Sequence, residues 1–182
     1  GTAGPDAVNV VSTRRAPLRT AAPGRLQCAN SAQVGRQPPA SEMDENTEYY
    51  NQNARGFFVS TVAVDMSALH EAFLAKLPVG GRILDAGCGS GRDARAFAVR
   101  GFDVTAFDAS PELAKLASEH CGFDIAVRTF SNVDEVDAYD GIWSCASLLH
   151  VPALEIPSAI GGLWRALRPG GCLYLSFKLG AG

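Results

Sequence analysis

Three glycines in five positions, Gly87, Gly89 and Gly91, stand between Asp85 and Arg92 in the stretch RILDAGCGSGRD. Glycine allows a tight turn and lets a ligand approach bare main chain. A helix starting directly afterwards turns its free amides and positive dipole end to the same place, which suits phosphate, carboxylate or a ribose hydroxyl. The spacing departs from the dinucleotide fingerprint G-x-G-x-x-G: the third glycine comes one residue early, and Arg92 stands where it is expected. The ending GRD is not the G-K-[ST] of a phosphate-binding P-loop. Asp108 follows Gly87 by 21 residues, the interval at which an acid gripping ribose hydroxyls is expected. Asp85 ends an apolar run, where its carboxylate can serve a ligand, nearby amides or both. His150, in CASLLHVP, is the histidine at the edge of such a site. It is either a base facing a second substrate or a residue capping the loop before Val151 and Pro152. Arg92 either pairs with an anionic ligand or is a solvated charge paired with Asp93 or Asp103.

The elements that must hold these residues read as an alternation. Tyr50, Ala54, Phe57 and Phe58 share one helical face, and a second helix begins near Ser67, an N-cap candidate, with Leu69, Phe73 and Leu77 on one side. From there strands are expected at 82–86, 102–107, 124–130, 139–147 and 172–177. Helices are expected between them: one around Ala94–Ala98 ending at Gly101, SPELAKLASEH (110–120), and one carrying Ile156, Ile160, Leu163, Trp164 and Leu167. RPGG (168–171) reads as a turn, and Trp143 and Trp164 as core. Near-continuously apolar strands alternating with helices predict an α/β, doubly wound, Rossmann-like parallel sheet, with the ligand crevice beyond the carboxyl ends of its strands.

Composition narrows the function. The chain has 182 residues, net charge −3 and 19% charged residues, which gives no overall sign of a polyanion-binding protein. No apolar run reaches the length of a membrane span. The five cysteines form no CxxC and no zinc-like spacing, and read as buried thiols of a reducing, cytoplasmic compartment. Residues 1–40 carry five arginines against the single acid Asp6, and they are rich in Ala, Gly, Pro and Ser. Residues 1–42 are therefore expected to be a disordered or non-native segment, with Met43 as the natural start and the domain running from 43 to 182. A mitochondrial transit peptide is the other reading of so arginine-rich and acid-poor a stretch.

The blocks RILDAGCGSGRD, VTAFDASPELAKLA, YDGIWSCASLLHVP and LWRALRPGGCLYLSFK, in this order and spacing, resemble the class I S-adenosylmethionine-dependent methyltransferases over about residues 45–182. They are closest to the small-molecule enzymes in the group that includes the tellurite-resistance methyltransferases. The resemblance implies a sheet in the order 3-2-1-4-5 and S-adenosylmethionine as cofactor. It also implies roles. The backbone of Asp85, Ala86, Gly87, Cys88 and Gly89 would cradle the methionine part. Asp108 would hold the ribose, Ala109 would lie against the adenine, and Phe130 and Ser131 would meet the adenine edge. Cys145 would contact the methionine end, and Tyr50 or its neighbour Tyr49 would close over the sulfonium; Tyr50 also reads as plain core.

The family's last two strands, an antiparallel hairpin beside the fifth, are not found before residue 182. That leaves an expected exposed edge on the fifth strand and a C-terminally truncated domain with weak or no turnover. The acceptor is expected to be a small molecule rather than nucleic acid, because no NPPY-like loop follows the fourth strand and the domain is acidic. A protein or RNA methyltransferase, a non-catalytic S-adenosylmethionine-binding module and a nicotinamide-dependent oxidoreductase remain as alternatives.

Overall fold

The computed structural model describes residues 7–14 and 45–178. Strand β1 (Ala7–Thr13) comes first, then α1 (Glu45–Thr61), α2 (Ser67–Leu74), β2 (Arg82–Ala86) and α3 (Arg92–Val99). They are followed by β3 (Asp103–Asp108), α4 (Pro111–Cys121), β4 (Ala126–Val127), β5 (Tyr139–Cys145), α5 (Ile156–Ala166) and β6 (Leu167–Lys178). The six strands form one sheet in the order β1-β6-β5-β2-β3-β4, with β2 to β6 parallel and β1 antiparallel on β6. The five parallel strands thus follow the expected 3-2-1-4-5 order.

Both faces of the sheet are buried, as a parallel sheet requires. Leu84, Ile142, Leu173 and Leu175 face α5 through Leu163 and Ala159. Their strand neighbours Ile83, Trp143 and Tyr174 pack on the other face with Phe73 and Phe97. Trp143 and Tyr174 stack with their ring centroids 3.7 Å apart. Helix α4 begins where Ser110 accepts the Leu113 amide at 3.2 Å, with Pro111 in the first turn. Helix α3 ends at Val99, two residues before Gly101, whose φ of 87° suits only glycine well.

Four expectations need correction. The third parallel strand is two residues long rather than seven, because the Thr129 and Asn132 side chains close a capping box that turns Phe130–Asn132 into a 3-10 turn. Ser67 is not an N-cap: Asp65 Oδ1 takes the Ser67 amide at 2.9 Å instead. RPGG is a bulge within β6. Tyr139 and Gly141 pair with Leu167 and Cys172, so residues 168–171 loop out opposite Asp140, which receives Arg168 Nη1 on both oxygens.

The fourth correction concerns the edge of the sheet. β6 is not exposed, because β1 pairs with it from Ala7↔Lys178 to Thr13↔Cys172. The Arg14 guanidinium fastens the end of the strand to the Leu167 carbonyl and to Asp137. Residues 7–13, part of the segment expected to be disordered or non-native, form this edge strand. The rest of residues 1–42, apart from Arg14, lies outside the described residues. AVNVVST supplies β-branched side chains but too short an alternation to read as a strand, and the paired edge selects the conformation. Removing residues 1–14 should lower the urea midpoint, by at least about 2 kcal/mol in stability, as a ladder and a charged clamp are lost together. An unchanged urea melt would show that β1 contributes nothing.

Candidate functional site

The glycine loop crosses from β2 to α3 with all three glycines at positive φ: 74° at Gly87, 55° at Gly89 and 73° at Gly91. Each is also hemmed in. A Cβ on Gly87 would lie 2.5 Å from Ser147 Cβ, one on Gly89 3.0 Å from the Phe57 ring, and one on Gly91 2.7 Å from Cys121 Sγ. The Gly87 and Cys88 amides donate to the Phe107 carbonyl at 3.0 and 2.9 Å, which ties the loop to the end of β3. Ser147 donates to the Ala86 carbonyl at 2.8 Å and shares a 2.7 Å bond with Ser144, tying the loop to β5 as well. Burial pushes the Cys88 thiol well above its ordinary range, so this cysteine is a packing group.

Asp108 ends β3 with Oδ2 accepting the Gly89 amide at 2.8 Å and Oδ1 the Ser110 amide at 2.9 Å. Burial raises its carboxyl, against the opposing pull of the Ser110, Gly89 and Ala109 amides. Each carboxylate oxygen has a second lone-pair direction beyond the amide it holds, as a ribose diol would need. Asp85, 1% exposed, is the penultimate residue of β2, with Oδ2 buried and unpartnered. Burial, then the charge of Asp93, pushes its carboxyl well above the usual range, while Arg92 opposes. A buried carboxylate oxygen with no donor costs free energy until a cationic or hydrogen-bonding group reaches it.

Helix α1 lies across the mouth. Tyr50 OH is 2.8 Å from His150 Nε2, and their rings meet edge to face at 5.0 Å. Tyr50 also packs on Phe57, which lies over Gly89. Burial, then Asp108, raises the Tyr50 hydroxyl above its ordinary value. On the other side Ser110 Oγ donates to Asn51 Oδ1 at 2.5 Å. Phe130 packs edge to face on Phe107 at 5.5 Å and reaches towards Gly87. Ser131 is exposed, its hydroxyl bonded to Thr129 at 2.7 Å. Cys145, half-buried at the end of β5, lies 3.8 Å from Arg92 Nη2 and 3.6 Å from Ser176 Oγ.

The structure thus gathers the glycine loop, Asp85, Asp108, Ala109, Phe130, Cys145, Tyr50 and His150 at the carboxyl ends of β2, β3 and β5. It leaves Ser131 at the rim.

Two arrangements were not legible in sequence. One is Asn51 on the Ser110 cap. The other is Asp93, whose carboxylate is held by Arg92, His70 and Trp143 together. Arg92 is therefore not a solvated charge; its side chain is 18% exposed. The available signals were the adjacency of Arg92 and Asp93 and the position of His70 on the apolar side of α2.

Residues 83–171 match a family model described as a methyltransferase domain. The ubiquinone biosynthesis O-methyltransferase of Xanthomonas oryzae pv. oryzae is 36% identical over 105 residues, covering 53% of this chain and 43% of that protein. The enzyme of the same name from Xylella fastidiosa is 35% identical over 105 residues, covering 53% and 42%. The chain thus spans less than half the length of the curated relatives it matches. Among solved structures, a TehB-like SAM-dependent methyltransferase from Corynebacterium glutamicum has a TM-score of 0.56 at 28% identity, covering 69% of each chain. A Burkholderia thailandensis 1,6-didemethyltoxoflavin-N1-methyltransferase has 0.57 at 24%, covering 76% of this chain and 63% of that one. Residues 83–171 thus match a methyltransferase domain, on a fold shared with solved S-adenosylmethionine-dependent methyltransferases. S-adenosylmethionine is the cofactor of that class. Among the described residues no helix is long and apolar enough to cross a membrane.

Proposed function

We propose that this chain binds S-adenosylmethionine beyond the carboxyl ends of β2, β3 and β5, and that the protein transfers the methyl group to a small-molecule acceptor. The observation that carries the reading is the Asp108 carboxylate, pinned by the Gly89 and Ser110 amides with lone pairs left over, beside a loop with no room for a Cβ. The orphaned Asp85 oxygen fits the cofactor's ammonium group. The names of the Xanthomonas and TehB-like relatives support a small-molecule acceptor and a grouping near the tellurite-resistance type.

The residues that would hold the cofactor are Asp85, Ala86, Gly87, Cys88 and Gly89 at the methionine part and Asp108 at the ribose. Ala109, Phe130 and Ser131 would meet the adenine, and Cys145 and Tyr50 the sulfonium end. When bound, the cofactor supplies a methyl group on a positively charged sulfur, open to in-line attack by a lone pair. The chain's contribution is then orientation and exclusion of water. Phe57 and Tyr50 cover the loop from α1, and Tyr50 holds the His150 ring. His150 is the candidate base for an acceptor that arrives protonated. In the arrangement where Tyr50 donates to Nε2, that nitrogen takes an acceptor's proton only after the Tyr50 hydroxyl turns away.

Calorimetric titration with S-adenosylhomocysteine and with NAD tests the cofactor directly: the first should bind and the second should not. Asp108→Ala should weaken the first about tenfold or more, the loss of a charged hydrogen-bond acceptor. An unchanged affinity would place the ribose elsewhere.

A further inference from the structure

We propose that Arg92 binds the carboxylate of the cofactor's amino-acid end, and that His70 is a positioning residue that fixes Arg92 through Asp93. The assignment rests on the cofactor reading above and adds two residues to it.

The Asp93 carboxylate is saturated. His70 Nε2 and Arg92 Nε each lie 2.8 Å from Oδ1, while Arg92 Nη2 and Trp143 Nε1 lie 2.7 and 2.9 Å from Oδ2. An ionised carboxylate only accepts, so His70 Nε2 carries the proton. Four donors from α2, α3 and β5 thus meet on one side chain that is itself 4% exposed. Nothing of Asp93 remains for a ligand. Its role is to hold the guanidinium in one orientation.

Arg92 is not saturated. Of its five N–H groups, Nε and one on Nη2 go to Asp93, and Nη2 also approaches Cys145 Sγ at 3.8 Å. Among the described residues Nη1 has no partner. A guanidinium held mainly for structure would turn its remaining donors to carbonyls, as Arg168 and Arg165 do with the Asp137 and Val133 carbonyls. Arg92 instead keeps a free edge at the carboxyl end of β5, at the crevice. Asp85 Oδ2, at the carboxyl end of the neighbouring β2, is buried and also without a partner.

One end of the crevice therefore presents one carboxylate oxygen, Asp85 Oδ2, and one guanidinium nitrogen, Arg92 Nη1, that lack partners among the described residues and do not bond each other. A phosphate would satisfy only Arg92, and a simple cation only Asp85. A zwitterion satisfies both. An α-amino acid end brings an ammonium group and a carboxylate on one carbon, and Arg offers the planar fork that pairs with carboxylate.

His70 lies in an apolar setting, with Phe97 at 4.8 Å and Trp143 at 5.4 Å. Packing alone would be met there by an apolar ring. Among the described residues, the one hydrogen bond of its ring is the one that completes Asp93.

The test compares two ligands by calorimetry on the full chain: S-adenosylhomocysteine and 5′-methylthioadenosine, which lacks the amino-acid end. In the unaltered chain the first should bind more tightly. Arg92→Gln should weaken S-adenosylhomocysteine about tenfold or more and leave 5′-methylthioadenosine unchanged. His70→Leu should lower the ratio of the two affinities, and His70→Gln, whose amide can still donate to Asp93, should restore it. Equal weakening of both ligands, or of neither, overturns the assignment. If Arg92→Gln does not fold, Arg92→Lys keeps a charge on Asp93 and carries the same test: an unchanged ratio overturns the assignment. Binding of neither ligand by the unaltered chain would instead overturn the cofactor reading beneath it, so the two failures are distinguishable.

Discussion

Asp93→Ala should cost about 3–5 kcal/mol of stability, the range for removing one partner of a buried charge pair. For a domain of ordinary stability this leaves little folded chain. The reason is what stays behind. Arg92 keeps its charge at 18% exposure with Nε unpaired, and the His70 and Trp143 N–H groups lose their acceptor inside the aromatic core. Asp93→Asn should cost less, because an amide oxygen can keep two of the four donors.

The acid limb of the stability curve checks the same group. Burial alone would raise the Asp93 carboxyl, but the hydrogen bonds from Arg92 and His70 prevail and hold it at about 2. Its folded value lies below its unfolded one. Its stabilisation is therefore complete above the ordinary carboxylate range near 4 and is lost as pH falls from there towards 2. Asp85 works in the opposite sense: its raised carboxyl means that protonation relieves strain in the fold. Urea midpoints between pH 2 and pH 5 should fall with acid in the unaltered chain and fall less steeply in Asp93→Asn. Equal slopes would deny Asp93 this role.

Gly87→Ala should cost about 2–5 kcal/mol and abolish cofactor binding. Left-handed backbone charges an alanine about 1–2 kcal/mol, and the new Cβ, 2.5 Å from Ser147 Cβ, adds about 1–3 kcal/mol of overpacking. Ser147 cannot yield freely, since its hydroxyl holds both the Ala86 carbonyl and Ser144. Gly101→Ala is the control. Its φ of 87° carries the same backbone cost, but a Cβ there meets nothing within 4 Å. It should lose only the backbone share and keep ligand affinity. Thermal melts with titration of S-adenosylhomocysteine measure both; similar losses in the two variants would refute the steric argument.

The parallel sheet and the loop were legible in sequence because they follow from local rules. Ile83 and Leu84 sit in an apolar run that only a doubly covered sheet buries on both sides. The interval from Gly87 to Asp108 marks two strand ends side by side, and the Gly89–Asp108 bond realises that. What stayed hidden depends on partners far along the chain. AVNVVST becomes a strand only against β6, some 160 residues on. The pairing of Arg92 with Asp93 was one of the readings open in sequence, but nothing local announces that His70 and Trp143 converge on the same carboxylate and bury it. The third parallel strand is shorter than its β-branched residues predict, because Thr129 and Asn132 close a turn at its end.

The bond from Ser110 to Asn51 has a consequence for observing the molecule at work. Ser110 Oγ accepts the Leu113 amide while donating to α1, so one hydroxyl is shared between a helix start and the element that covers the crevice. A shift of α1 that breaks the contact frees that hydroxyl to rotate. The first turn of α4 then loses part of its closure. Deuterium uptake at the Leu113 amide, which donates to Ser110 Oγ, becomes a clock for the opening of the mouth: fast when α1 lifts, slow when it seats.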